Sequence, residues 1–161
     1  MPADNLASKR RPLQILLAED CISDVLRIRK ALQSMAIPTV LTVVEDGERL
    51  LRYLVDALKL EQAESKLVFP DVVLLDLNMP KLDGFKALEL IAAQPSCGAL
   101  PLVVISSSAD PDDVRLAYQL GAHAYIDKGL GRREFVEHLQ FLERMWSEGA
   151  TLVRNPSNRR H

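Results

Sequence analysis

Asp76 closes a run of four apolar residues, Val72 to Leu75, and is followed by Asn78, Met79, Pro80 and an Asp83-Gly84 pair. A strand apolar on every position is buried on both faces, so a carboxylate at its end needs a chemical reason. Three more apolar runs end in reactive groups. Leu13–Ala18 leads into Glu19-Asp20, Leu102–Ile105 into Ser106-Ser107-Ser108, and Ala122–Ile126 into Asp127-Lys128.

Carboxylates brought together repel and raise one another's pKa unless a cation sits among them. An all-oxygen donor set with room for water suits Mg²⁺, with Mn²⁺ as the alternative. Lys128 adds a positive partner for phosphate oxygens. Asp76, the central acid, is then the natural nucleophile, because carboxylates accept phosphoryl groups as aspartyl phosphates. A single acid after a strand is more often a turn residue or helix cap, and Asp46, Asp83 and Asp110 each read that way. The set on several strand ends is what departs from that ordinary reading.

The elements that would position these groups alternate along the chain. Apolar runs at Leu13–Ala18, Val40–Val44, Val72–Leu75, Leu102–Ile105 and Ala122–Ile126 have strand length and little alternation. Between them lie helical spacings over Ser23–Ser34, Gly47–Leu60, Gly84–Ala93, Pro111–Leu120 and Gly131–Glu148. Asp110-Pro111 has the form of an N-cap followed by proline at the first helical position. The pattern is α/β: a doubly wound, five-stranded parallel sheet with right-handed crossovers. Ligands of such sheets bind beyond the carboxyl ends of the strands, where the acids, hydroxyls and lysine fall. Residues 12–148 read as one domain, with flexible tails at 1–11 and 149–161 and a long loop over residues 61–69.

The net charge of −2 gives no field that would draw nucleic acid or an anionic membrane. Cys21 and Cys97 lie far apart with no paired spacing, which fits a reducing cytoplasm better than a disulfide framework or zinc site. The first residues lack the apolar stretch of a secretory signal, and no apolar run approaches membrane-spanning length. His123, His138 and His161 stand in no setting that suggests a phosphoacceptor histidine.

LLAED at 16–20, LLDLNMPKLDG at 74–84, VVISSS at 103–108 and AYIDK at 124–128, in this order, resemble the receiver domain of two-component response regulators. The resemblance spans about residues 13–145 and implies a flavodoxin-like (βα)5 fold with strand order 2-1-3-4-5. It implies that Glu19 and Asp20 hold Mg²⁺, that Asp76 is the phosphorylated aspartate, and that Asn78 offers the metal a backbone carbonyl. Ser106, with Ser107 beside it, matches the hydroxyl position that meets the phosphoryl group. Lys128 matches the phosphate-pairing lysine, and Tyr125 the aromatic that follows the hydroxyl. Within the family, EDGERLLRYL, SSSADPDDVRLAYQLGAHAY and a last helix ending near RMW are similar to regulators associated with bacterial phytochromes. That implies a phytochrome-type sensor histidine kinase as phosphodonor.

Two positions depart from the family pattern: Gly129 follows Lys128 where proline is usual, and Cys21 follows the acidic pair where a polar residue is common. Nothing after the receiver resembles an effector, so the expected output is a switched surface around the fourth helix, fifth strand and last helix. Leu116, Leu120, Phe141 and Met145 fall off the core arcs of their helices and are expected to form a homodimer face. The chain is then a signalling phosphoacceptor that catalyses its own phosphorylation and dephosphorylation, not a metabolic enzyme. Two competing readings are a degenerate receiver that binds partners without phosphorylation and a small aspartyl-phosphate phosphatase. The second would need an aspartate two residues after the nucleophile, where Asn78 stands.

Overall fold

A computed structural model describes residues 11–60 and 67–147. The expected C-terminal tail, the first ten residues and residues 61–66 of the expected long loop lie outside this range. The elements run β1 (Leu13–Ala18), α1 (Ile22–Gln33), β2 (Thr39–Val44), α2 (Gly47–Leu60), β3 (Val72–Leu75), α3 (Gly84–Ala93), β4 (Leu102–Ser106), α4 (Pro111–Gln119), β5 (Ala124–Asp127), α5 (Arg132–Leu139) and α6 (Phe141–Ser147). A short 3₁₀ turn, Pro95–Cys97, precedes β4. All pairings are parallel, in the order β2-β1-β3-β4-β5, as expected from the sequence.

The largely apolar strands supply two cores, one on each sheet face. Leu13, Ile15, Leu17, Val72, Leu74, Val103 and Ile105 pack with Ile28, Leu32, Phe135, Leu139 and Leu142 of α1, α5 and α6. Leu16, Ala18, Val73, Leu75, Leu102 and Val104 pack with Leu50, Leu54, Leu88, Ile91 and Ala117 of α2, α3 and α4. The period of two along each strand explains why neither face can be polar. β2 is an edge strand and only partly buried along its length, so its apolar run does not mark burial on both faces. Among the described residues no helix is long and apolar enough to cross a membrane.

Three lone acids behave as caps. The carboxylates of Asp46, Asp83 and Asp110 accept from the N–H groups of Arg49, Phe85 and Asp112 at 2.8, 2.9 and 2.9 Å. Arg11, expected in a loose tail, is instead anchored. Its guanidinium forms two 2.7 Å bonds to Asp71 and lies 4.9 Å from the Trp146 ring centre.

The last helix is not continuous, which corrects the expectation for Phe141 and Met145. At Gln140 the ladder shortens, with the Glu143 N–H reaching the Gln140 carbonyl at 3.1 Å in a 3₁₀-type step. Each such step turns the chain further than an α-helical one, so the residues that follow rotate toward the sheet. Met145 is buried in the core with Leu142, and Phe141 is half-buried against it. Leu120 also packs on a core, which leaves Leu116, at 39% exposure, as the exposed member of the expected contact face.

His123 closes the entrance to β5. Its N–H donates to the Leu102 carbonyl at 2.7 Å, and its Nδ1 accepts from the Leu102 N–H at 3.0 Å. Burial pushes the imidazole below its ordinary value of 6.5. Just below that pH the unfolded chain binds the proton and the folded one does not. His123 therefore contributes stability that is complete above about pH 6.5 and declines as pH falls through the window beneath it. Thermal melts at pH 7.5 and 5.5 should show a smaller acid loss for His123→Asn than for the wild type. Equal losses would remove His123 as the cause.

Candidate functional site

The sheet ladder continues one residue past the ends of three strands, and each extra rung fixes a functional residue. The Glu19 N–H donates to the Val44 carbonyl and the Asp76 N–H to the Ala18 carbonyl, both at 3.0 Å. The Lys128 N–H donates to the Ser106 carbonyl at 2.8 Å. Backbone pairing therefore decides where these side chains start, before any of them interact.

The Lys128 ammonium is shared by three carboxylates. It lies 2.6 Å from Glu19 Oε2, 2.9 Å from Asp24 Oδ2 and 3.2 Å from Asp76 Oδ2. Glu19 and Asp76 are 1% and 4% exposed, so their charges are not solvated by bulk water. Their other oxygens take backbone donors: the Cys21 N–H on Glu19 Oε1 and the Asn78 N–H on Asp76 Oδ1, both at 3.1 Å. Burial pushes the Glu19 carboxyl up to about 7; the Lys128 hydrogen bond opposes this and the Asp76 charge adds to it. Burial alone would lower the Lys128 pKa, but the bonds to Glu19 and Asp24 and the Asp76 charge outweigh it and hold it above the ordinary lysine range.

Glu19, Asp20 and Asp76 each present a carboxylate oxygen within 4.8 Å of the others. Two are buried and Asp20 is exposed, which leaves one side open to water. An oxygen-only set with an open side fits a hard divalent cation such as Mg²⁺ or Mn²⁺. Asn78 is exposed beside Asp76.

The chain after Asp76 turns tightly. The Leu82 N–H reaches the Pro80 carbonyl at 2.9 Å around Lys81, whose φ is 68°. This three-residue turn is a strained form, here beside the site. Gly84 opens α3 so close to the loop that a Cβ there would fall 2.4 Å from Leu77 Cα and 2.7 Å from the Asp76 carbonyl oxygen. Only glycine permits that approach.

On β4, Ser106 is fully buried and its Oγ accepts from the Ser108 N–H at 3.2 Å. Ser107 is exposed. The Tyr125 hydroxyl donates to the Ser108 carbonyl at 2.7 Å, so Ser106 and Tyr125 are joined through one residue. Ser108 Oγ in turn donates to Asp113 at 2.5 Å.

The sequence reading missed Asp24, which lies 104 residues from its partner Lys128. Its signal was available: four residues after Asp20, at the start of a helix, is one turn from the site. Cys21 is exposed, with Sγ 3.1 Å from Ser23 Oγ.

An acid cluster, a largely buried lysine and a linked hydroxyl and tyrosine at the carboxyl edge of a 2-1-3-4-5 sheet are the arrangement of a receiver domain. A family model described as the response regulator receiver domain matches residues 15–140, and the chain belongs to that family of two-component signalling proteins. Response regulator Rcp1 of Synechocystis sp. is 31% identical over 141 residues, covering 88% of this chain and 93% of that protein. A Mn²⁺-bound form of Rcp1 superposes with a TM-score of 0.72 at 31% identity, covering 88% of this chain and 99% of that one. The phosphorylated cyanobacterial phytochrome response regulator RcpA gives a TM-score of 0.73 at 32% identity, covering 88% and 99% of the two chains. RPA3017, a response regulator in red light signaling of R. palustris, gives 0.73 at 30%, covering 88% and 98%. The likeness to phytochrome-associated regulators fits a receiver that accepts a phosphoryl group from a sensor kinase.

Divalent metal should raise the melting temperature of the full chain, because it balances charge that Lys128 alone does not. Titration of Mg²⁺ followed by thermal melts should give a saturating rise in the wild type. Asp20→Asn, which keeps the fold but removes an exposed ligand, should show little or none. The same rise in both proteins would place the metal elsewhere.

Proposed function

We propose that Asp76 accepts a phosphoryl group from the phosphohistidine of a cytoplasmic, phytochrome-type sensor histidine kinase. One observation carries the reading. A buried carboxylate at a strand end lies 3.2 Å from the Lys128 ammonium and within 4.8 Å of the Glu19 and Asp20 carboxylates. An Asp76 oxygen attacks phosphorus as the phosphorus–nitrogen bond of the donor breaks, and the imidazole departs with the bonding electrons. Positioning and charge balance supply most of the catalysis in such a transfer. Glu19, Asp20, Asp76 and the Asn78 carbonyl are the groups that would hold Mg²⁺ or Mn²⁺, which offsets the charge of the phosphoryl oxygens when bound. Lys128 meets the same oxygens from the other side. Self-dephosphorylation follows when water attacks that phosphorus, the bond from phosphorus to the Asp76 oxygen breaks, inorganic phosphate leaves and the carboxylate is restored.

The added group brings nearly two negative charges. Turning the Ser106 hydroxyl toward it withdraws the acceptor now used by the Ser108 N–H. Movement of Ser108 then disturbs the carbonyl that holds the Tyr125 hydroxyl. A charge event on β3 thereby alters the surface around α4, β5 and α5. Ser107, exposed between them, offers the phosphoryl group a backbone contact. Self-association through that surface, with Leu116 as its exposed apolar residue, belongs to the same reading. Sedimentation showing only monomer with and without phosphorylation would remove that part alone.

The direct test is incubation with acetyl phosphate and Mg²⁺ followed by intact mass. Wild type should gain the mass of one phosphoryl group and Asp76→Asn none. An autophosphorylated phytochrome-type kinase should label the wild type and not the variant. Full labelling of Asp76→Asn would overturn the site assignment.

A further inference from the structure

Helix α1 reaches the β5–α5 loop with one side chain. Arg27 Nη1 donates to the Lys128 carbonyl at 2.6 Å and Nη2 to the Leu130 carbonyl at 2.8 Å. The two acceptors flank Gly129, so the planar fork bridges the turn across its most pliable residue. The same guanidinium lies 4.1 Å from the ring centre of Phe135, which is 2% exposed in α5. Arg27 thus ties α1, the loop and α5 together at one point. Three residues before it on α1, Asp24 holds the other end of Lys128, with its carboxylate 2.9 Å from Nζ.

Leu130 packs against the core, and two further hydrogen bonds lie within the turn. The Gly129 N–H donates to Asp127 Oδ1 at 2.6 Å, and the Leu130 N–H reaches the Asp127 carbonyl at 3.4 Å. Both bonds are local to the turn. Neither sets where the turn lies relative to Asp76. The hydrogen bonds that do so are the Lys128 N–H on the Ser106 carbonyl on one side and the Arg27 fork on the other, with Leu130 seated on the core.

Resting on the phosphoacceptor reading, we propose that Arg27 is a positioning residue for phosphoryl transfer. It fixes the Lys128 backbone so that the ammonium stands where the phosphoryl oxygens arrive. Arg27 touches no reacting atom and acts only through Lys128. A hydrogen-bonding fork suits this role better than a lysine, whose single ammonium cannot match two carbonyls in one plane.

The experiment measures phosphorylation rates of the full chain with acetyl phosphate and Mg²⁺, by intact mass over time. Arg27→Ala and Arg27→Lys are each made with Lys128 present and in a Lys128→Ala background. With Lys128 present, Arg27→Ala should slow the reaction about tenfold, the scale expected for a misplaced charge, and Arg27→Lys should recover only part of it. In the Lys128→Ala background both Arg27 variants should change the rate less than about twofold, because the group they position is gone. Equal slowing in the two backgrounds would show a general structural role and overturn the proposal. So would an unchanged rate when Lys128 is present. If Arg27→Ala does not fold, the Arg27→Lys pair gives the same comparison. Phosphorylation that persists in Asp76→Asn would instead overturn the underlying reading, so the two failures are distinct.

Discussion

One buried ammonium between three carboxylates is the constraint around which this molecule is arranged. Glu19 and Asp76 are almost wholly removed from water, and two such charges a few ångströms apart repel strongly in a protein interior. Lys128 makes the arrangement tolerable, and Asp24 adds a third contact from α1. Burial pushes the Glu19 carboxyl up to about 7, and the hydrogen bond from Lys128 opposes that rise without cancelling it. The oxygens of Glu19, Asp20 and Asp76 lie within 4.8 Å of one another, with Asp20 open to water, an arrangement that fits a hard divalent ion.

The fold turns that electrostatic problem into a fixed geometry. Parallel strands deliver their carboxyl ends to one edge, and the last ladder bonds reach Glu19, Asp76 and Lys128 themselves. Around that edge the connections are tight, with a positive-φ Lys81, a glycine that only just clears the loop after Asp76, and an arginine fork across the β5–α5 turn. Charge is held at the sheet ends, while Ser106 and Tyr125 are linked through the loop at Ser108.

Much of this was legible in the residues. Short apolar runs alternating with amphipathic spacings indicated the α/β class, and the motifs across strand ends indicated the receiver order and the acids at one edge. Capping by Asp46, Asp83 and Asp110 was readable because it is local. What escaped was non-local or a matter of phase. Arg27 acts on a turn about a hundred residues away, and no spacing rule connects it to that turn; Asp24 was legible only as a helix-start acid one turn from Asp20. Met145 lies in the core because one 3₁₀ step at Gln140 rotates the chain, and a regular helical wheel cannot contain that step. Partial exposure of β2 follows from its place at the sheet edge, which an apolar run alone does not disclose.

The dependence of the site on Lys128 is open to a direct measurement: denaturant unfolding of wild type and Lys128→Met, each with and without Mg²⁺. Removing the lysine leaves buried carboxylates unpaired and should cost about 3 kcal/mol without metal. Saturating Mg²⁺ should then return more stability to the variant than it adds to the wild type, since the ion takes over a charge the lysine no longer supplies. A Lys128→Met protein as stable as the wild type without metal, and no more responsive to it, would contradict the account.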